Sequence, residues 1–277
     1  MTYNPKVSVL LATYNRPQFV GTSIQSALNQ TFHNFEVLVI CDSNSDNTRQ
    51  AVEPFVKLDA RLKYFEIPRN GRIASVSNYG LAQASGEYIA ILDDDDSWSD
   101  TEKLAKQVVF LDEHPNYVGC GGGYITVDVE GKETGRFLKP ENDEDIRRNI
   151  LVANPMANAT TIFRRAAAAA IGNYDETMKE YADWDFWLKI CFQGKLYNFP
   201  EYFLYYRMWP QGSSFIKQRG AAESALRIVR RHRNNYPRFF QAYSLALAYS
   251  AYVYLPKYIK YFLNGPFSRF KKSIVAR

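Results

Sequence analysis

The chain has 277 residues, of which 46% are hydrophobic and 23% charged, a composition that excludes a disordered or fibrous protein and allows one large or two modest globular domains. Lysine and arginine exceed aspartate and glutamate by five, yet residues 219–277 alone hold 12 basic residues and one acid. The first 218 residues, with 22 basic and 28 acidic residues, are therefore acidic, and we expect the two parts to meet different partners.

Cysteine spacing and the N-terminal sequence bear on the compartment. The three cysteines, Cys41, Cys120 and Cys191, lack the CxxC spacing of a zinc or redox motif. The opening sequence MTYNPKVSVLLATYNR lacks the basic region, long apolar run and small-residue cleavage site of a secretion signal. We expect a chain that works in the reducing cytoplasm.

The first half of the chain alternates between two kinds of apolar pattern. Near-continuous apolar runs, typical of strands buried on both faces of a parallel sheet, occupy residues 6–13, 36–42, 62–67 and 87–93. Helical spacing of apolar residues follows the first run, at Val20, Ile24, Ala27 and Leu28. The same spacing follows the fourth run at Leu104, Val108 and Leu111, after a possible capping box at residues 99–102. The pattern predicts an α/β fold with an open, mainly parallel twisted sheet flanked by helices.

The pattern becomes less regular from residue 117 to residue 207. A glycine-rich strand at 118–129 is followed by a predicted turn at 130–132 and by predicted strands near 159–163 and 196–207. We interpret this region as mixed sheet that completes one domain, residues 1–218. Residues 219–277 form a separate extension that is helical by pattern.

Unusual polar residues stand where the predicted strands end. They are Thr13, Tyr14, Asn15 and Arg16 after the first strand, Asp42 after the second, and Asp93, Asp94, Asp95 and Asp96 after the fourth. Ligands of open parallel sheets bind beyond the carboxyl ends of the strands. Adjacent carboxylates repel one another, which favours a hard divalent ion, Mg²⁺ or Mn²⁺, whose remaining ligands are phosphate and water. The alternative is a solvated acidic turn that caps the next helix.

Several separated motifs, taken together, resemble glycosyltransferase family 2, the inverting nucleotide-sugar transferases with a GT-A fold. They are VSVLLATYNRPQFVGTSIQSALNQTFHNFEVLVICDSNSDNT, RNGRIASVSNYGLAQASGEYIAILDDDDSW and IGNYDETMKEYADWDFWLKI, within about residues 5–215. The resemblance implies a nucleoside diphosphate sugar donor, usually a UDP-sugar, and a hydroxyl acceptor on a glycan or lipid-linked glycan. It divides the domain into a nucleotide-binding half, 1–116, and an acceptor-binding half, 117–218.

The same resemblance assigns roles to individual residues. Asp95 is the principal ligand of Mn²⁺ or Mg²⁺, with Asp93 and Asp96 beside it, and Asp183 is the catalytic base. Trp184 and Trp209 are expected to contact the acceptor. The nucleotide-binding set is Thr13, Tyr14, Asn15, Arg16, Asp42, Arg72, Asn78, Asp93 and Asp94.

Three positions depart from the family pattern. Ser77 stands where many members have arginine, Ala182 where they have glutamate, and Trp209 where they have histidine. These departures leave open a non-catalytic binding protein with the same fold. A sugar nucleotidyltransferase is a further alternative, but residues 12–16 lack the glycine-rich phosphate loop of that class.

The extension contains 18 uncharged, tyrosine-rich residues, 239–256, between Arg238 and Lys257. Its serines, glutamine and proline make it too polar for a bilayer centre, whereas tyrosines flanked by cations suit the interface. We expect peripheral attachment to an anionic membrane on the cytoplasmic face. The alternative is a pair of helices packed on the domain or in a homodimer. We expect no nucleic-acid partner.

Overall fold

The computed structural model describes residues 4–43, 47–209 and 218–256, which contain a nine-stranded mixed sheet with helices on both faces. The strands are β1 (Val7–Thr13), β2 (Phe35–Cys41), β3 (Leu62–Glu66), β4 (Tyr88–Asp93), β5 (Ser97–Trp98), β6 (Tyr117–Val127), β7 (Glu133–Phe137), β8 (Ile162–Arg164) and β9 (Lys195–Arg207). Their order across the sheet is β3-β2-β1-β4-β8-β6-β9-β5, and β7 pairs with β6. The α/β class and the flanking helices are as the sequence predicts.

Nine helices lie within the described residues. They are α1 (Pro17–Leu28), α2 (Thr48–Leu58), α3 (Ile73–Gln83), α4 (Lys103–Glu113), α5 (Asp143–Asn149), α6 (Arg165–Ala170), α7 (Ala182–Ile190), α8 (Gln218–Arg231) and α9 (Phe239–Tyr254). The last part of the predicted helical extension, 257–277, lies outside the described residues.

The four predicted strands of the first half form one parallel block. β1 pairs in parallel with β2 and with β4, and β2 pairs in parallel with β3. Alternate residues of β1 face opposite sides: Val9 packs with α1, α2 and α4, whereas Leu10 packs with α3 and α7. Helices on both faces explain why these runs are almost continuously apolar. The register aligns Ala12 with Asp93 and Thr13 with Cys41, so the carboxyl ends share one edge.

The second half is a mixed sheet, with two local differences from the predictions. The strand expected near 159–163 is a short 3₁₀ turn, Asn158–Thr160, followed by the three-residue strand β8. The capping box at residues 99–102 does not form, because Ser99 Oγ donates to Tyr202 O (2.9 Å). Asp100 Oδ1 instead accepts a hydrogen bond from Glu102 N (2.8 Å), closing a local turn before α4.

The two C-terminal helices pack on the sheet domain through small residues and one aliphatic face. Ala225, Ile228 and Val229 of α8 and Ala246 of α9 belong to the same buried core as Phe186 of α7. One side of the extension therefore packs on the domain as helices, which is the alternative to membrane attachment that the sequence left open. The other side of α9 remains exposed, with Phe240, Leu247 and Tyr254 at 82%, 45% and 58% exposure.

Candidate active site

The aspartate cluster, Asp93–Asp96, stands at the end of β4, beside the end of β1. Asp96 N donates to Asp93 O (3.3 Å), so the chain turns here and does not continue as an extended strand. Burial still alternates: Asp94 and Asp96 are 3% exposed, whereas Asp93 and Asp95 are partly exposed. The cluster therefore presents two carboxylates toward the open edge and buries the other two.

The cluster holds more negative charge than its surroundings neutralise. Burial and the neighbouring carboxylates Asp95 and Asp94 raise the pKa of Asp93 to about 7. Burial raises the pKa of Asp94 to about 6, although Arg16 acts in the opposite direction. Burial, with Asp93 and Asp95 nearby, also raises the pKa of Asp96 well above the ordinary value. A bound cation would offset the repulsion among these carboxylates and stabilise their charged forms.

Arg16 is the cation that contacts the cluster most directly. Its Nη1 donates to Asp94 Oδ1 (2.6 Å) and lies 2.9 Å from Asp95 Oδ2. Tyr14 N also donates to Asp94 Oδ2 (3.3 Å), and Asn15 takes a left-handed conformation with φ of 50° in the turn between them. The segment after β1 thus wraps around Asp94, as far as Thr13, which is 3% exposed.

Trp209 and Arg207 approach the cluster from the end of β9. Trp209 Nε1 donates to Asp95 Oδ2 (2.9 Å), and the guanidinium of Arg16 lies 5.3 Å from the indole centroid. Arg207 N donates to Asp96 Oδ1 (2.9 Å). Trp209 stands where many members of the family that the sequence resembles have a histidine, and its indole N–H donates to the Asp95 carboxylate.

The aspartate cluster fits a divalent cation that takes some of its ligands from the phosphates of a bound nucleotide. Asp96 Oδ2 is buried and receives no hydrogen bond from the described residues. Within residues 4–43, 47–209 and 218–256 there is no ready-made set of three metal-ligating side chains. Magnesium and manganese commonly use one or two carboxylates and take their other ligands from phosphate and water. The cluster meets that requirement through Asp95 with Asp93 or Asp96.

Asp42 lies in the same edge and is 4% exposed. Its carboxylate accepts hydrogen bonds from the backbone N–H groups of Asn70 (2.7 Å) and Gly71 (2.8 Å) and from the guanidinium of Arg69. That guanidinium also lies 3.5 Å from the centroid of the Tyr14 ring. The loop 69–71 therefore covers the Asp42 carboxylate, while Tyr14, 42% exposed, keeps part of its ring open to solvent.

Arg72 and Asn78 are bound to the segment that precedes α7. Arg72 Nη1 donates to Glu176 O (2.7 Å). The Asn78 amide donates to Tyr174 O (3.0 Å) and Glu176 Oε1 (2.8 Å) and accepts from Tyr174 N (3.0 Å). Both side chains thus connect α3 to the segment before α7, and the nucleotide contact expected of them stays a prediction.

Asp183 lies in the first turn of α7. The residue at the helix cap is Tyr181, in a left-handed conformation, and Asp183 is the second residue of the helix. Burial raises the pKa of Asp183, while backbone N–H groups, Lys139 and Asn154 act in the opposite direction. The charge of Asp183 is one of the smaller contributions that raise the pKa of Asp93.

Comparisons with known proteins identify the family of the chain. The sequence profile described as Glycosyl transferase family 2 matches residues 8–172, more than half of the chain. The chain belongs to glycosyltransferase family 2. This glycosyltransferase is 32% identical over 242 residues to an uncharacterised glycosyltransferase of Haemophilus influenzae, covering 82% of this chain and 72% of that protein. It is 29% identical over 156 residues to TuaG of Bacillus subtilis, named for teichuronic acid biosynthesis, covering 54% and 60%.

Solved structures share the fold. S. aureus TarS 1–349 in complex with UDP-GlcNAc has a TM-score of 0.68 at 23% identity, covering 88% of this chain and 72% of that one. This glycosyltransferase spans only 43% of a longer TarS chain. The mannosyltransferase PcManGT from Pyrobaculum calidifontis, in complex with GDP-Man and Mn²⁺, has a TM-score of 0.66 at 17% identity, covering 99% and 85%. The glycosyltransferase therefore has the GT-A fold.

Two of the departures and one expected contact have clear positions in this family 2 enzyme. Ala182 is 2% exposed and packs into the core at the start of α7. Trp184, expected at the acceptor, is 7% exposed, and its Nε1 donates to Ile150 O (2.6 Å), so it belongs to the core. Trp209 meets Asp95, on the cation side of the site.

Sequence reasoning missed Asn154. Its Nδ2 donates to Asp183 Oδ2 (2.7 Å), and its Oδ1 accepts from Met156 N (3.1 Å). The backbone hydrogen bond orients the amide, which in turn orients the carboxylate. Asn154 stands in an irregular loop 29 residues before Asp183, and no local motif marks it.

Proposed function

We propose that this glycosyltransferase moves a sugar from a UDP-sugar to a hydroxyl group with inversion at the anomeric carbon. The observation that carries the proposal is a pair of carboxylate sites in one domain: the cluster Asp93–Asp96 at the end of β4, and Asp183, held by a hydrogen bond from Asn154 (2.7 Å), in the first turn of α7. One group can serve the departing diphosphate and the other the incoming hydroxyl. A single displacement needs both, on opposite sides of the sugar.

The residues divide the reaction between them. Asp95, with Asp93 or Asp96, would hold Mg²⁺ or Mn²⁺, which supplies positive charge to the diphosphate leaving group. Asp183 accepts the proton of the acceptor hydroxyl while that oxygen forms its bond to the anomeric carbon and the bond to the diphosphate breaks. Asn154 donates to Asp183 Oδ2 and so holds the carboxylate in one orientation. Burial raises the pKa of Asp183, which makes it a stronger base than a solvated aspartate.

The nucleotide is assigned to the edge formed by Tyr14, Asp42 and Arg16. Arg69 and its loop bind the Asp42 carboxylate, and the Arg69 guanidinium lies against the Tyr14 ring, so we propose that this loop moves aside when the base enters. A UDP donor is supported by the TarS complexes with UDP and UDP-GlcNAc, and a surface polysaccharide or lipid-linked glycan acceptor by the name of TuaG.

A screen followed by two variants tests the proposal. UDP-, GDP- and dTDP-sugars are tested for Mn²⁺-dependent thermal stabilisation of the chain, and the best donor is then assayed for release of its nucleotide. Asp183→Asn should bind UDP with Mn²⁺ normally in calorimetry and lose about 100-fold or more in rate. Asp95→Asn should lose the Mn²⁺-dependent part of the UDP affinity. Normal Mn²⁺-dependent binding by Asp95→Asn refutes the cation assignment, and an inactive wild-type chain that binds UDP supports a binding protein.

We also propose that the exposed side of α9 rests on an anionic membrane on the cytoplasmic face. None of the helices within the described residues is long and apolar enough to cross a bilayer. Phe240, Leu247 and Tyr254 fall at spacings of seven along α9, so they share one uncharged face, and Arg238 and Lys257 flank the helix in sequence. Aromatic rings at headgroup depth with flanking cations are typical of interfacial helices.

Flotation with phosphatidylglycerol vesicles tests this attachment in the full chain. The wild type should float with the vesicles. The triple variant should stay with the unbound protein at the bottom of the gradient; its changes are Phe240→Ser, Leu247→Ser and Tyr254→Ser. Leu58→Ser is the matched control: it makes the same kind of change at a residue of α2 that is 87% exposed, and it should float. Equal flotation of the triple variant and the wild type refutes the membrane assignment.

A further inference from the structure

The segment from Tyr174 to Thr177, which precedes α7, is held by helices on two sides. On one side, Asn78 of α3 binds Tyr174, and Ser75 Oγ of α3 donates to Glu176 Oε2 (2.8 Å). On the other side, Arg227 of α8 donates to Thr177 O (3.1 Å) and Thr177 Oγ1 (2.6 Å). The C-terminal extension is therefore bonded to the loop that leads to the catalytic base.

Arg231, one turn further along α8, joins that loop to α7 itself. Its Nη1 donates to Asp175 Oδ2 (2.7 Å) and to Asp185 Oδ1 (2.9 Å). Asp185 is fully buried and stands two residues after Asp183 in the same helical turn. One guanidinium thus fixes both the approach to the turn and the turn that carries Asp183.

Among the other side chains near Asp185, Lys189 hydrogen-bonds the residue before the loop, through Asn173 O (3.0 Å). His232 Nε2 lies 3.2 Å from Asp185 Oδ1, and Lys189 Nζ lies 3.5 Å from Asp185 Oδ2. Arg227 Nη2 lies 3.8 Å from Asp175 Oδ2, beyond hydrogen-bond distance. Among the described residues, Arg231 is the side chain that hydrogen-bonds to both Asp175 and Asp185.

We propose that Arg231 is a positioning residue for transfer: by tying Asp175 to Asp185, it sets the direction of the Asp183 carboxylate. This inference rests on the proposed role of Asp183 as base. Arg231 contacts no reacting atom and acts through Asp185. A displacement of about 1 Å in a reacting group can cost on the order of 100-fold in rate, so a clamp on this turn matters for kcat.

Kinetics of Arg231→Ala, with Arg230→Ala as the matched control, test the proposal. Arg230 lies on the same helix, but its Nη2 donates to the Tyr243 hydroxyl of α9 (2.8 Å), away from the loop. The assay is nucleotide release from the UDP-sugar that the wild type hydrolyses fastest. We expect Arg231→Ala to lower kcat about tenfold to 100-fold, with the donor KM and the UDP affinity changed less than about twofold. Arg231→Lys should recover part of kcat, and Arg230→Ala should match the wild type.

Hydrogen–deuterium exchange supplies a readout that does not depend on turnover. Arg231→Ala should exchange faster at residues 182–186, while exchange in β1 and β4 stays at the wild-type rate. Wild-type kcat in Arg231→Ala, an equal loss in Arg230→Ala, or a loss of UDP affinity parallel to kcat overturns the proposal. If Arg231→Ala does not fold, Arg231→Lys decides: reduced kcat with normal UDP affinity supports the clamp, and unchanged kcat overturns it.

The Asp183→Asn variant, run in the same assay, separates this inference from the proposed function. If Asp183→Asn keeps the wild-type rate, the assignment of the base fails, whatever Arg231 does. If Asp183→Asn is inactive while Arg231→Ala is fully active, only the clamp fails.

Discussion

Two groups of aspartates in this glycosyltransferase have opposite electrostatics. In the aspartate cluster, burial and mutual repulsion raise the pKa of Asp93 to about 7. In the acidic pair, Asp175 and Asp185, burial acts in the same direction, but hydrogen bonds from Thr177 and Arg231 bring the pKa of Asp175 below its ordinary value. His232, Arg231 and Lys189 do the same for Asp185.

The contrast separates two uses of one residue type. The acidic pair has its cations built in, so its charges hold the protein together. The aspartate cluster has Arg16 in direct contact, and Asp96 Oδ2 has no donor among the described residues. Functional sites commonly keep such uncompensated groups at the expense of stability. Substituting one group at a time should therefore affect the two groups in opposite directions.

The largest effect is expected at the acidic pair. Asp185→Ala leaves Arg231 and His232 facing a buried position without their carboxylate, and we expect a loss of about 3–5 kcal/mol in the free energy of unfolding. Chemical denaturation measures it. Asp145→Ala is the matched control, because its partner Arg148 is exposed and the pair contributes less than about 1 kcal/mol. A loss at Asp185 no larger than that of the control refutes the structural assignment.

A smaller, pH-dependent effect is expected at Asp175. Its pKa lies below the ordinary value, so its contribution to stability is present above about pH 4 and is lost as the pH falls toward the folded-state pKa. Asp175→Asn should therefore lower the free energy of unfolding by about 1.5 kcal/mol at neutral pH and by less in acid. Thermal unfolding of both proteins across the acidic range measures the difference, and a pH-independent difference contradicts the prediction.

The aspartate cluster should respond with the opposite sign. Asp93→Asn removes a negative charge from a group whose neighbours repel it, so we expect a gain of about 1 kcal/mol in the absence of divalent cations. Denaturation in EDTA measures this gain. The same variant should lose UDP affinity in the presence of Mn²⁺. Destabilisation in EDTA would place the cluster with the acidic pair and end the contrast.

The smallest effect concerns the base. Because burial raises the pKa of Asp183, kcat should fall as the pH drops through a value above the ordinary aspartate pKa of about 4. Asn154→Ala removes a donor that favours the carboxylate, so the acid limb should move up by about 0.5 pH unit. The pH profile of kcat measures it. Asn142→Ala, which removes a hydrogen bond to Asp145 at the start of α5, is the control and should leave the limb in place.

Local pattern predicted one side of the site far better than the other. The runs before Thr13, Asp42 and Asp93 are apolar because helices cover both faces of β1, β2 and β4, and parallel strands bring their ends to one edge. The aspartate cluster could therefore be located from sequence alone. Its turn could not, because a hydrogen bond from Asp96 N to Asp93 O replaces the extended form.

The partners of the acceptor side depend on contacts between distant parts of the chain. Asn154 reaches Asp183 from an irregular loop, and Arg231 reaches Asp185 across 46 residues. The tail contains several arginines with helical spacing, and only packing decides which of them turns inward. Trp184 illustrates the same limit: the motif places it beside the base, but the core around Ile150 takes its side chain.

Trp209 gives this enzyme a built-in optical reporter. Three of its four tryptophans, Trp98, Trp184 and Trp187, are buried, whereas the indole of Trp209 is partly exposed and hydrogen-bonded to Asp95. A metal ion bound to the Asp95 carboxylate would lie about 5 Å from this indole. Paramagnetic Mn²⁺ quenches indole fluorescence at this distance and Mg²⁺ does not, so the fluorescence of Trp209 distinguishes the two metals.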